Sequence, residues 1–324
     1  MRDRAREIAE DVLFPAALDV DRAESVPASH LDLLAAEGFY GVAQRDELPD
    51  IVEALASGCL ATTFVWLQHH SPLFALAEHA APALRDEFLP RLAAGERRAG
   101  IGIAGIRTPT PLRVRPAEGG YVVDGGVPWV TGWGMIDTLY LAALDADDVV
   151  HFLLADAGPA PTVEAVPQRL VAVQASATVN LRFTAHPVPA ERLVHTVPYR
   201  EWSTRDAGGS ALNGFLALGV ADRCARLLDT SGRADLAAAL RADAGACRGA
   251  LARADTATTP AARAAASELG WRAAAMLTAQ TGARSVLRDN HAQRLVREAA
   301  FLLVFGSRPA IRDALLPRLG PARS

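Results

Sequence analysis

The spacing of apolar residues changes twice along the chain. Up to about residue 98 they recur every three or four positions, and residues 51–68 are apolar on all sides. Such spacing is typical of helices, and an all-round apolar helix must be buried on most sides. We therefore predict an N-terminal helical region with a long helical pair broken near Ser71 and Pro72. Its last helix is predicted to stop at Gly95.

After residue 98 the period becomes that of strands. Residues 179–184 alternate between apolar and polar side chains, as in a strand with one wet face, and residues 138–144 and 149–156 are short apolar runs typical of buried strands. The Asp-Gly-Gly of residues 124–126 predicts the turn of a β-hairpin. Together with dense proline and glycine, these patterns indicate a compact β-domain.

The helical period returns after about residue 199. Three long helical stretches are followed by a closing helix pair, with Gly306 between its two helices. The order of elements therefore predicts a mainly α chain with a central β-domain. The predicted domains are residues 1–98 (helical), 99–198 (β) and 199–324 (helical bundle).

Composition excludes several functional classes. Half of the residues are apolar, 22% are charged and the net charge is −4, so no basic surface indicates nucleic acid or an anionic membrane as a partner. Every cationic side chain is arginine, which excludes Schiff-base chemistry on lysine. The charged N-terminus lacks the apolar core of a signal peptide, and no apolar run is long enough to span a membrane. We expect a cytoplasmic protein.

The cysteines and histidines do not predict a metal site. Cys59, Cys224 and Cys247 are far apart and form no Cys-x-x-Cys pair, so we interpret them as buried thiols. His69 and His70 end an apolar helix, but adjacent helical residues point to different faces. A structural or cavity-lining role is expected for both histidines.

Five segments, in matching order, resemble segments of the acyl-CoA dehydrogenase family. They are the helix IVEALASGCLATTFVWLQHH, the helix-to-strand passage FLPRLAAGERRAGIGIAG, the strands YVVDGGVPWVTG and SATVNLRFTAHPVPAERLV, and the closing helices AQRLVREAAFLLVFGSRPAIR. The resemblance implies a helical N-domain, a β-barrel-like middle domain and a C-terminal four-helix bundle. It also implies a homo-oligomer (dimer or tetramer) or a hetero-oligomer with a paralogous subunit.

The resemblance implies FAD as the cofactor and acyl-CoA, or another acyl thioester, as the substrate. Family members oxidise the CH–CH group of the acyl chain: a carboxylate removes an α-proton while the β-hydrogen leaves as hydride to the flavin. An α-proton of a thioester is acidic enough only if the developing enolate is stabilised, and the base must lie within hydrogen-bond reach.

Three segments take the positions of the family's flavin contacts. Trp129, Val130 and Thr131 match the family's Trp-Ile/Val-Thr triplet, although a core tryptophan and a turn threonine are the alternative. Ile103, Ala104 and Gly105 align with a strand whose Thr-Glu-Pro and following Gly-Ser-Asp are missing here, so an ordinary strand and loop is the alternative. Gln280, one position out of register, and Gly282 are what is left of a Gln-x-x-Gly-Gly-x-Gly motif, and Gln280 has the alternative of a helix-surface amide.

The family's usual catalytic glutamate has no counterpart. Its position is Gly306 when the closing helices are aligned without gaps, and Phe305 when they are aligned on the glycine. We therefore assign no catalytic residue. Asp206, near the family's second location for the base, is a candidate that is out of register, with a helix cap or a surface acid as its alternative.

Three functions stay open at this point. The first is a flavin-dependent acyl-CoA dehydrogenase-like oxidoreductase. The second is a non-catalytic subunit of a hetero-oligomeric acyl-CoA dehydrogenase, favoured by the missing base and the incomplete FAD motifs. The third is a flavin enzyme of the same fold with oxygen-dependent chemistry, which needs no α-proton base. The fold alone does not decide among them.

Overall fold

A computed structural model describes residues 1–42 and 46–320 of the chain. It confirms the predicted order of helices, a central β-region and helices. None of the helices in these two ranges is long and apolar enough to cross a membrane. The N-terminal helices are α1 (Arg2–Ile8), α2 (Phe14–Arg22), α3 (Ala28–Ala36), α4 (Leu48–Gly58), α5 (Leu60–Gln68), α6 (His70–His79) and α7 (Pro82–Ala93), and a π-helical turn, Ala9–Leu13, joins α1 to α2.

The predicted break near Ser71 and Pro72 is wrong in position. The chain turns at Cys59, which is extended (φ −147°), and again between α5 and α6 at His69. Ser71 and Pro72 lie within the first turn of α6, where proline is tolerated because its missing N–H has no helical acceptor. The end of α7 is as predicted, since Gly95 follows it with a φ of +71°.

Eight strands form the middle of the chain. They are β1 (Ala99–Gly102), β2 (Arg113–Ala117), β3 (Gly120–Val130), β4 (Thr138–Leu144), β5 (Val149–Asp156), β6 (Val163–Pro167), β7 (Val179–Pro189) and β8 (Leu193–Pro198). They make one mixed sheet in the order β6-β7-β3-β2-β4-β5-β8, with β1 parallel to β4. The expected barrel-like domain is thus a mixed sheet whose outer strands are β6 and β8.

The predicted hairpin turn at residues 124–126 is wrong. Strand β3 runs through this segment, and the register against β7 shifts between Val123 and Gly125. The shift is a β-bulge whose extra residue lies in β7, where Thr184 and Ala185 oppose Asp124, and Gly125 takes a φ of +122°. The actual turn between β2 and β3 is at Gly119, with a φ of +75°.

Strand β4 is buried on both faces, as its apolar run predicted. The even-numbered side chains from Tyr140 to Leu144 pack with α6, α7 and β5 on one face. The odd-numbered side chains pack with residues of β3 and β7 on the other face. The N-terminal helices thereby cover one face of the sheet. This arrangement fixes the sheet against α6 and α7.

The C-terminal helices are α8 (Tyr199–Asp206), α9 (Gly214–Thr230), α10 (Ala234–Ala252), α11 (Thr259–Thr281), α12 (His291–Val304) and α13 (Pro309–Leu319). Helices α9 to α12 share one hydrophobic core with the N-terminal helices. Helix α9 crosses α4 so closely that a Cβ on Gly219 would lie 2.5 Å from the carbonyl oxygen of Glu53. The division at residues 98 and 198 stays a prediction.

Candidate functional site

Trp129, near the end of β3, is the most exposed large aromatic side chain in the described ranges, with 59% of its surface accessible. Its backbone is left-handed (φ +61°), and its N–H donates to Oδ1 of Asn180 at 3.2 Å. A left-handed conformation in a non-glycine residue costs on the order of 1–3 kcal/mol and is most often found at functional sites. The indole is therefore held outside the core by a strained segment.

Thr131 lies on the inner side of the same segment. It is buried, and its Oγ1 is 3.3 Å from Oγ1 of Thr178, which in turn lies 2.8 Å from Oγ of Ser176. The N–H of Gly132 donates to the carbonyl oxygen of Ser176 at 2.8 Å. The threonine expected to offer its hydroxyl to a flavin thus belongs to a buried row of hydroxyls. Val130 is fully buried in the sheet.

The row formed by Ser176, Thr178 and Thr131 was not singled out from the sequence. The Ser-Ala-Thr stretch before β7 is the only feature in the sequence that indicates it, because it places two hydroxyls two residues apart. Val173 and Ala177, on either side of Ser176, are also left-handed (φ +50° and +45°). Strained backbone is therefore concentrated at this edge of the sheet.

The segment of Ile103, Ala104 and Gly105 has the packing of an ordinary loop. A 3₁₀ turn spans Ala104–Arg107, and a Cβ on Gly105 would lie 2.9 Å from the carbonyl oxygen of Gly126. The carbonyl oxygen of Gly105 accepts hydrogen bonds from the Thr108 hydroxyl at 2.9 Å and from the N–H of Leu112. Only the half-buried Ile103 and Ala104 present surface to a ligand.

Gln280 and Gly282 lie at the carboxyl end of α11, and both are exposed. Gly282 has a φ of +67° with nothing within 4 Å of where its Cβ would be, which is typical of a glycine that ends a helix. Among the hydrogen bonds of the described residues, none joins this pair to Trp129. Their assignment to a cofactor stays a prediction.

Phe305 and Gly306, which the resemblance aligned with the family's catalytic base, have no side-chain group that can accept a proton. The Phe305 ring packs edge-on to Phe64 of α5 at 4.7 Å and stacks with Phe301 at 5.4 Å between ring centroids. Gly306 is left-handed (φ +57°), and a Cβ there would lie 2.9 Å from Nδ2 of Asn213. The amide of Asn213 thus takes the space in which a side chain at position 306 would begin.

Asp206, the sequence candidate for the base, is engaged by two arginines. Arg107 donates to its carboxylate at 2.8 and 2.6 Å, and Arg308 at 2.8 and 2.9 Å. Burial raises the pKa of the carboxyl, but the hydrogen bonds from the two guanidinium groups outweigh it and hold the pKa below its usual value. A carboxylate bound in this way is a weak base, and its contacts are those of an ion-pair clasp between the sheet and the helices.

Arg263 of α11 lies beside this clasp and was missed in the sequence. It is 2% exposed and donates to the carbonyl oxygens of Ser210 at 2.8 Å and Phe305 at 3.0 Å. Burial, with the nearby charge of Arg308, lowers its pKa to about 10, so it is still a cation at neutral pH. No sequence feature indicates this role, because Arg263 is one of two arginines in an alanine-rich helix.

The two histidines of α5 and α6 have structural roles. His69 Nδ1 accepts the N–H of Ala99 at 3.1 Å, where β1 begins, and His70 Nε2 lies 3.2 Å from the carbonyl oxygen of Phe39. Burial lowers the pKa of His69 to about 3 and that of His70 to about 4, so both are neutral at neutral pH.

An apolar cavity of about 470 Å³ opens between α4, α6, α9 and α10. It is lined by Leu48, Pro49, Ser71, Phe74, Ala75, Ala211, Leu212, Phe215, Leu251 and Ala252. The short turn Ala211–Asn213 belongs to both regions: its first two residues line the cavity, and its last one faces Gly306. The cavity therefore lies next to Gly306, on the other side of this turn.

Sequence comparison gives two matches. Residues 1–96 match the family model of the acyl-CoA dehydrogenase N-terminal domain. A short-chain-specific acyl-CoA dehydrogenase of Clostridium acetobutylicum is 28% identical over 216 residues, which are 60% of this chain and 56% of that protein. The chain thus matches a little over half of the length of this curated relative.

Solved structures show the same fold over nearly the whole chain. A glutaryl-coenzyme A dehydrogenase in complex with glutaryl-CoA superposes with a TM-score of 0.84 at 16% identity, covering 98% of this chain and 94% of that one. The butyryl-CoA dehydrogenase of Megasphaera elsdenii has a TM-score of 0.82 at 16% identity, with 97% of each chain covered. The chain therefore has the fold of these dehydrogenase structures, and its first 96 residues match the N-terminal domain model of the acyl-CoA dehydrogenase family.

Proposed function

We propose that the chain is a flavin-dependent, acyl-CoA dehydrogenase-like oxidoreductase that acts on the CH–CH group of an acyl thioester. The observation that carries the proposal is the exposed indole of Trp129, held by a left-handed backbone beside the buried hydroxyl row. A large aromatic surface kept out of the core by strained backbone is what a ring-shaped ligand at this edge requires.

The residues at this edge fit a flavin in part. Trp129 offers an aromatic face, and Ile103 and Ala104 offer half-buried apolar surface. Gln280 and Gly282 are exposed and so are open to a flavin held between two subunits of a homo- or hetero-oligomer. The chemistry that FAD supplies when bound is the acceptance of a hydride equivalent. Thr131 stabilises this edge of the sheet, because its hydroxyl is hydrogen-bonded to the hydroxyl of Thr178.

A second function, a non-catalytic subunit of a hetero-oligomeric dehydrogenase, is favoured by the base position. Gly306 and Phe305 cannot take a proton, and the carboxylate of Asp206 is held by Arg107 and Arg308. In that assembly a paralogous chain would provide the carboxylate that removes the α-proton.

Purification of the chain alone, followed by a visible absorption spectrum, separates the two functions. A yellow protein that is bleached anaerobically by members of an acyl-CoA panel supports the oxidoreductase. A colourless protein that gains flavin only with a paralogous partner supports the subunit. A flavoprotein that no thioester bleaches would contradict both.

A further inference from the structure

The apolar cavity of about 470 Å³ lies apart from the sheet. Its walls come from α4, α6, α9 and α10 and from the turn Ala211–Asn213, and among the described residues none that lines it belongs to a strand. Trp129, against which we place the flavin, lies on β3, and Gly306 is on the other side of the turn. A ligand in the cavity is therefore separated by this turn from Gly306 and does not touch the sheet edge that carries Trp129.

The walls of the cavity are suited to an apolar ligand. Leu48, Phe215 and Leu251 are buried and form its floor, whereas Ser71 and Ala252 are exposed and form its rim. Among the described residues that line it, none is charged, and Ser71 alone has a polar side chain. Ligand sites measure about 300–1,000 Å³, and an apolar cavity of about 150 Å³ already binds benzene, so this cavity has the size of a binding site.

An alkyl chain with one charged end matches both the floor and the rim. Each methylene group that leaves water for the apolar floor adds to the binding free energy. The charged end has to stay at the rim, in water, because burial of a charge without a partner is costly. There the hydroxyl of Ser71 can donate a hydrogen bond to a carboxylate. The chemistry of the cavity therefore fits a fatty-acid-like amphiphile.

The turn Ala211–Asn213 connects the cavity to the loop after α12. Its first two residues line the cavity, and the side-chain amide of its last residue lies 2.9 Å from where a Cβ of Gly306 would be. The buried Arg263 donates to the carbonyl oxygens of Ser210, just before the turn, and of Phe305, just before Gly306. A ligand that packs on the turn therefore restrains a segment that is tied to residues 305 and 306.

We propose that the cavity binds the alkyl chain of a fatty-acid-like amphiphile other than the reacting thioester, and that the bound chain restrains the loop at Gly306 through the turn Ala211–Asn213. The chain is not that of the reacting thioester, because its charged end lies at the solvent-facing rim and the turn separates it from Gly306. The cavity is thus a second binding site beside the flavin edge.

Calorimetric titration of the purified protein with decanoate and octanoate tests the site. Decanoate should bind roughly tenfold more tightly, because it buries two more methylene groups. Ala75→Trp fills the cavity and should weaken decanoate binding at least about tenfold, whereas Ala77→Trp, on the exposed side of the same helix, should leave it unchanged. Thermal unfolding checks that Ala75→Trp is folded, and Ala252→Trp at the exposed rim blocks the same cavity if it is not. No binding of decanoate, or binding that the cavity variants leave unchanged, overturns the proposal.

Two further measurements test the separation from the substrate and the effect on the loop. Ala75→Trp should treat decanoyl-CoA as the wild type does; an equal loss for decanoate and decanoyl-CoA would assign the cavity to the thioester and overturn the proposal. In hydrogen–deuterium exchange, decanoate should protect the amides of residues 211–213 and 305–308 in the wild type but not in Ala75→Trp. Absence of protection at 305–308 overturns the connection through the turn. Decanoate binding needs no flavin, so its failure leaves the oxidoreductase function standing.

Discussion

The backbone N–H of Trp129 donates to the side-chain oxygen of Asn180 at 3.2 Å, across the paired strands β3 and β7. This bond holds Trp129 in a left-handed conformation with its indole in solvent. An exposed tryptophan contributes little to the hydrophobic core, and its position supports the proposal that it contacts a flavin.

Trp129→Ala should therefore barely change stability. We expect the free energy of unfolding to fall by less than about 0.5 kcal/mol, as for a surface substitution. Trp66→Ala is the matched control, because Trp66 is fully buried and its loss should cost about 3–5 kcal/mol. Denaturant unfolding of both variants checks this, and a cost at Trp129 close to that at Trp66 would show that the indole is part of the core.

Gly306→Glu should not create a working base. The left-handed backbone costs a non-glycine residue about 1–2 kcal/mol, and the new Cβ would meet Asn213. Gly306→Ala measures the cost of the backbone conformation and of the new Cβ without adding a charge. Gly38→Ala is its control, since Gly38 is also left-handed (φ +75°) but has nothing within 4 Å of its Cβ position. Gly306→Ala should lower the melting temperature more than Gly38→Ala; an equal effect would show that Asn213 moves away freely.

Asp206→Asn should destabilise the protein by about 1–3 kcal/mol, because Arg107 and Arg308 lose a shared charged acceptor. The exposed pair of Arg233 and Asp235 gives the control: Asp235→Asn should change the stability much less than Asp206→Asn does, because solvent screens an exposed ion pair. Since the pKa of Asp206 is lowered on folding, its stabilisation is present above its ordinary pKa of 3.8 and is lost as the pH falls through the lower, folded-state pKa.

Denaturant unfolding at neutral pH and at acid pH measures this contribution. The difference in stability between the wild type and Asp206→Asn should shrink as the pH is lowered toward and below 3.8. A folded Asp206→Asn protein that loses turnover without losing stability would instead identify Asp206 as a base.

His69 and His70 should make the free energy of unfolding depend on pH at higher pH values than Asp206 does. Their pKa values are lowered by burial from 6.5 to about 3 and about 4, so between these values and 6.5 only the unfolded chain takes up protons. The free energy of unfolding should consequently decrease as the pH falls from 6.5 toward 4. His70→Gln, whose amide can still donate to Phe39, should flatten this slope, and an unchanged slope would contradict the assignment.

The sequence predicted the types and order of elements because local periodicity decides them. Strands β4, β5 and β7 and the helices α7 and α9 follow directly from the spacing of apolar side chains. The segment 124–126 was misassigned because Asp-Gly-Gly is typical of a turn, whereas β3 runs through it opposite a bulge in β7 that only the strand pairing reveals. The break near Ser71 was misplaced because proline is tolerated in the first turn of a helix.

The candidate site was predicted less completely, because its parts come from distant segments. Trp129 was found through the family resemblance, and its exposure could not be read from the sequence. Arg263, Asn213 and Ser210 come together only through the packing of α11 against the loops before α9 and α13. No local pattern marks such a cluster, since each residue is ordinary in its own segment.

Equilibrium titration of the purified protein with FAD, alone and with any paralogous partner, tests the central claim that a flavin lies against Trp129. We predict that the wild type binds FAD and that Trp129→Ala, folded and equally stable, binds it at least about tenfold more weakly, as the loss of an aromatic contact of about 1.4 kcal/mol requires. Equal affinities of the wild type and the variant, or no binding in any assembly, would contradict it.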